Sequence, residues 1–124
     1  MKIIYLIIGL PGSGKTTIMN KFKRTHLIDD MTSISQLPTN ATKRIAISDP
    51  YFCRKPVFDS AISILKKQYP EHIIKLIEFE NDKYKAIQNA DKRKDKKVKK
   101  LIEQLSKDYK PKSKNILKIR TEFK

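Results

Sequence analysis

The chain has 124 residues, with 28 Lys+Arg against 13 Asp+Glu, a net charge of +15. That length fits one domain, residues 1–124, and excludes a larger enzyme with a separate substrate domain. No apolar run approaches the ~18–20 residues of a spanning helix, and a lone cysteine, Cys53, excludes both an internal disulfide and a cysteine-based zinc site.

The expectation is a cytoplasmic protein with an anionic partner and no membrane contact. Met1-Lys2 followed by Ile3–Ile8 imitates a signal peptide. The stretch is too short, however, and a glycine-rich turn follows it instead of a cleavage site.

Residues 2–8 have the unbroken apolar character of a central parallel strand. Gly9–Lys15 is a turn, and Thr16–Arg24 a short helix with Ile18, Met19 and Phe22 on one side. His26–Ile28 is a second strand, ending at Asp29-Asp30. Residues 31–43, rich in Ser, Thr and Asn, are a loop. Arg44–Ser48 is a third strand, stopped by Asp49-Pro50.

Pro56 suits the first turn of a helix. Val57, Phe58, Ala61, Ile62 and Leu65 carry that helix toward Pro70. Ile73–Glu80 is a fourth strand, and Asp82 caps a helix through Tyr84 and Ile87. Val98, Leu101, Ile102, Leu105 and Tyr109 recur at helical spacing until Pro111. Asn115–Ile119 is a last strand. Strands alternating with helices predict an α/β fold, a parallel sheet of about five strands with helices on both faces. The charge is uneven: residues 63–124 hold nineteen basic and nine acidic groups, and Lys92–Lys100 alone holds seven and one.

Gly9-Leu10-Pro11-Gly12-Ser13-Gly14-Lys15-Thr16 satisfies G-x-x-x-x-G-K-[ST], the P-loop pattern of nucleotide-binding proteins. Glycines permit backbone conformations closed to other residues and let amide N–H groups approach a phosphate. Lys15 can reach the β- and γ-phosphates, and the Thr16 hydroxyl can join a Mg²⁺ shell. The set expected to hold ATP is Gly9, Pro11, Gly12, Ser13, Gly14, Lys15, Thr16 and Thr17. No guanine-reading N-K-x-D follows, and a motor ATPase would be larger. A kinase needs only a base near the acceptor and cations over the moving phosphoryl.

Asp29 and Asp30 follow a strand, at the sheet edge where α/β ligands bind. Either can serve as base toward an acceptor hydroxyl; the plain alternative is a cap or a solvated turn. Asp49, after RIAIS, is placed like an acid that holds Mg²⁺ or its waters, or is an ordinary Asp-Pro turn. Residues 88–100 are the expected lid. Arg93 is the one arginine in its basic run and the cation expected over the phosphoryl, against the plain reading of a solvated helix face. Tyr51 or Phe52 either stacks on a base or packs under its loop. His26 and His72 lack metal-ligand spacing, and Cys53 suits a small buried hydrophobe.

The segments IIGLPGSGKTT, LIDD, IAISDPYFC, IEFEND, NADKR and LIEQLSKDY, in that order, resemble the phage polynucleotide-kinase-like group of P-loop kinases over most of the chain. The resemblance implies a P-loop NTPase fold and a 5′-hydroxyl kinase or a relative, using ATP and Mg²⁺. It implies Lys15 and Thr16 at the phosphates, a base after strand two, and Arg93 in the lid. A viral source would place such an enzyme in the host-cell cytoplasm.

There are departures. Length is missing between strands two and three, no arginine follows closely on Asp29-Asp30, and Gln88 precedes Asn89 where the group often has arginine. Aligning the acidic doublets favours Asp29 as base; counting from the strand end favours Asp30. The expected activity is ATP-dependent phosphorylation of a nucleic-acid 5′-hydroxyl. The alternatives are a nucleoside, nucleotide or small-metabolite kinase, a non-catalytic ATP- and nucleic-acid-binding module, or a plain ATPase.

Overall fold

In the computed structural model, residues 1–29, 36–94 and 96–119 are described. In chain order they form β1 (Ile3–Ile8), α1 (Lys15–Met19), β2 (His26–Asp29), β3 (Arg44–Ser48), a 3-10 turn (Pro50–Cys53) and α2 (Lys55–Gln68). Then come β4 (Ile73–Phe79), α3 (Lys83–Lys92), α4 (Lys96–Asp108) and β5 (Ile116–Leu117). The five strands form one parallel sheet in the order β2-β3-β1-β4-β5. The expected α/β class holds. Among the described residues no helix is long and apolar enough to cross a membrane.

The most apolar strand takes the centre, where both faces of the sheet are covered, as they also are along β3. On one face of β1, the Tyr5 ring lies 4.7 Å from Phe22, just beyond α1. On the other, the Tyr109 hydroxyl at the end of α4 donates to the Ile8 carbonyl at 3.2 Å. Ile4, Leu6, Ile45 and Ile47 are fully buried with Leu65 of α2 and Ile102 and Leu105 of α4. Each such side chain contributes about 1.5–3 kcal/mol relative to exposure.

Two elements differ from expectation. The helix expected over Thr16–Arg24 stops at Met19, because the chain tightens into i→i+3 bonds from Lys21 to Ile18 and Phe22 to Met19. Arg24 then turns at φ 53°. The last strand shrinks to Ile116–Leu117, since only β4 flanks it.

Candidate functional site

β1, β2 and β3 end at one sheet edge, and a cleft of about 640 Å³ opens there. The loop after β1 is its floor. Gly12 and Gly14 stand at φ +83° and +102°, where side-chain-bearing residues are strained. The Lys15 ammonium bends back across the loop, donating to the carbonyls of Gly9 at 2.7 Å and Leu10 at 3.0 Å. Ser13 is buried, and its hydroxyl has no hydrogen-bond partner among the described residues.

Asp29, at the tip of β2, accepts from the Thr16 hydroxyl at 3.1 Å and, through its other oxygen, from the Ser48 hydroxyl at 2.8 Å. Strand register explains this. Asp29 pairs with Ser48, so both project from the same sheet face as α1. Asp49 gives one carboxylate oxygen to the Tyr51 N–H at 2.8 Å, capping the 3-10 turn. Tyr51 is 43% exposed at the cleft mouth, its ring 5.5 Å below the Arg54 guanidinium, whereas Phe52 is buried in the core. Val98 and Leu101 of α4 form an apolar wall of the cleft.

Arg93 ends α3 and lines this cleft together with a second hollow of about 380 Å³. That hollow is bounded by Ser13, Thr17 and Lys21 on one side and Phe79, Leu117 and Lys118 on the other. Lys99 pairs with Asp91 at 2.6 Å where α3 meets α4.

The structure thus brings Pro11, Gly12, Gly14, Lys15, Thr16, Thr17, Asp29, Asp49 and Arg93 to one cleft. Gly9 and Ser13 complete the loop behind it. Asp30 lies outside the described residues, as does Asp95 within the expected lid. Ser48 escapes a reading by motif, and Asn89, which opens the NADKR segment, has a contact that no motif gives. Ser48 is signalled only once β2 and β3 are known to be neighbours. Asn89 reaches the carbonyl of Gly12 at 2.8 Å, 77 positions away, and no spacing rule points to it. The Cys53 thiol is pushed up to about 12 by burial. No group of three or more His, Cys, Asp or Glu side chains is arranged to hold a metal among the described residues.

Fold and site together define a small parallel α/β protein with a glycine-rich loop at the centre of its sheet. No family model matches the chain. It is 32% identical over 135 aligned positions to the uncharacterized protein R277 of Acanthamoeba polyphaga mimivirus, a match covering 98% of this chain and 97% of that protein. The chain belongs to the family of that viral protein.

Proposed function

We propose that the protein is a P-loop kinase, similar to the phage polynucleotide-kinase-like group, that transfers the γ-phosphoryl of ATP to a 5′-hydroxyl of nucleic acid. The observation that carries this reading is the convergence of Lys15, Thr16, Asp29 and Arg93 on one cleft around the glycine-rich loop. ATP phosphates lie along residues 9–17, and the adjoining hollow beside Phe79 and Leu117 receives the base. Thr16 and Asp49 line the same cleft and would offer hard oxygen donors of the kind that suits Mg²⁺, which keeps several of its waters. Bound with ATP, Mg²⁺ supplies charge neutralisation at the β- and γ-phosphates.

Asp29 or Asp30 accepts the proton of the acceptor hydroxyl. The freed oxygen attacks the γ-phosphorus in line, and the bond to the β-phosphate oxygen breaks to leave ADP. Lys15 and Arg93 hold the charge spread over the phosphoryl in transit. The exposed Tyr51 ring, in one cleft with Val98 and Leu101, suits a flat base more than a sugar. Such an enzyme works in the cytoplasm, where ATP is at hand.

The test is label transfer from γ-labelled ATP to a panel of 5′-OH DNA, 5′-OH RNA, nucleosides and nucleotides. Labelled 5′ ends are expected, with loss of at least about 10²-fold in Lys15→Ala, in keeping with the worth of one electrostatic donor in a phosphoryl or acyl site. A panel with nothing above the Lys15→Ala background would refute the reading. Labelled nucleosides alone would move the acceptor to a small molecule.

A further inference from the structure

Asn89 opens the NADKR segment, and the residue is only 2% exposed. A polar group is buried at such depth when it is bonded, and the Asn89 Nδ2 donates to the carbonyl oxygen of Gly12 at 2.8 Å. Ala86 and Ala90 share that helix face and are also buried. Their small size lets α3 sit directly on the loop. A Cβ at Gly12 would stand 2.8 Å from the Ala86 carbonyl oxygen.

One turn past Asn89, Arg93 ends the helix. Its backbone N–H bonds the Asn89 carbonyl at 3.2 Å, and its side chain lies between the two cavities. Lys94 then turns the chain at φ 58°. α4 in turn is anchored through buried Ile102, Leu105 and Tyr109. The segment expected as a lid therefore has both ends fastened to the body of the protein.

The Gly12 carbonyl shares one rigid peptide plane with the Ser13 N–H. Whatever turns that plane pulls on Asn89, and Asn89 in turn fixes how the loop presents that amide.

We propose that Asn89 is a positioning residue that latches α3 to the glycine-rich loop, so that Arg93 is set over the phosphate site and answers to what the loop holds. This rests on the reading of the loop as a phosphate cradle. The latch makes loop occupancy and the placement of Arg93 one event. It also makes Arg93 preorganised, which a freely swinging lid would not be.

Two arms test it. In the kinetic arm, Asn89→Ala lowers kcat about tenfold, within the range that a misplacement of about 1 Å costs, while the Kd for MgATP changes less than about threefold. Added to Arg93→Ala, the same substitution has almost no further effect, because it acts through the missing arginine. A purely structural role gives equal losses in both backgrounds and overturns the proposal.

In the second arm, amide hydrogen exchange of residues 86–93 is measured with and without ADP. Exchange slows on binding in the wild type and in Arg93→Ala, and does not slow in Asn89→Ala. Slowing that survives Asn89→Ala refutes the latch. Asn89→Asp keeps the volume, puts an oxygen against the Gly12 carbonyl and is expected to behave as alanine does; it carries both arms if Asn89→Ala does not fold. A wild type that labels no acceptor but shows ADP-dependent slowing, lost without Asn89, removes the transferase reading and keeps the latch. A loop that binds no ADP removes both.

Discussion

Cys53 shows how one residue ties composition to stability. It follows the 3-10 turn's Tyr51 and Phe52 and is packed into the core. Burial raises its thiol from the ordinary 9.0 to about 12, with Lys15 opposing the shift and Asp49 and Glu78 adding to it. The folded state therefore holds this proton more tightly than the unfolded chain does. Stability from this site is fully present below pH 9 and is lost as pH rises from about 9 toward 12, by up to about 1.4 kcal/mol per pH unit. Tyr109, raised chiefly by its own burial, pushes the same way. Urea midpoints measured from pH 7 to 10.5 are expected to fall steeply above pH 9, and Cys53→Ala is expected to flatten part of that fall. A fall above pH 9 as steep in the variant as in the wild type would show the thiol is not the group titrating.

At the same scale, Asp29 marks what sequence can and cannot deliver. Its type and its place after a strand were readable, because an acid at a strand's C-terminal end is an ordinary α/β site signal. Its partners were not. The bond from Thr16 depends on how α1 lies over the sheet, and the bond from Ser48 depends on β3 lying beside β2. Asp49 carried two readings, and its bond to the Tyr51 N–H makes the plain cap part of the answer while leaving it at the cleft.

At the scale of elements, β4 holds a feature that alternation concealed. IIKLIEFE reads simply as a strand that alternates in part. In the fold Glu78 is buried and accepts from the backbone N–H groups of Lys112 at 3.2 Å and Ser113 at 2.9 Å, and from the Ser113 hydroxyl. Glu80 accepts from the Ile119 N–H at 2.7 Å and from the Lys85 ammonium at 3.2 Å. Two acids thus staple residues 112–119 along the short β5 edge, where Leu117 and Lys118 wall the second hollow. The pattern of residue types predicted the strand, but not this use, because the bonded amides lie more than thirty positions away.

Glu78→Ala leaves two backbone donors without their acceptor. Bonds to a charged group contribute about 1.5–3 kcal/mol each, so a loss of roughly 3 kcal/mol or more is expected. Urea denaturation measures it. A loss under about 0.5 kcal/mol, the size of an ordinary surface substitution, would show that the staple contributes little.

For the whole molecule, the net charge of +15 divides into cations with visible work and cations without. Lys15 bonds its own loop, while Lys2, Lys55, Lys85 and Lys99 sit in ion pairs. Lys96, Lys97 and Lys100 stand exposed on the first turns of α4, the same turns that send Val98 and Leu101 into the cleft. A strand of nucleic acid entering by Tyr51 would meet them. If about three phosphates are neutralised, single-strand affinity falls with log salt at a slope of about −2, so KM for a 5′-OH oligonucleotide rises more than about tenfold between 50 and 200 mM salt. Replacing Lys96, Lys97 and Lys100 together by Gln should remove most of that slope while leaving the KM for ATP within about twofold, since exposed cations far from a bound charge are screened. A KM for the oligonucleotide that is flat in salt would mean the acceptor is small. The charge would then serve solubility rather than steering, and the cleft between Tyr51 and α4 would hold the whole substrate.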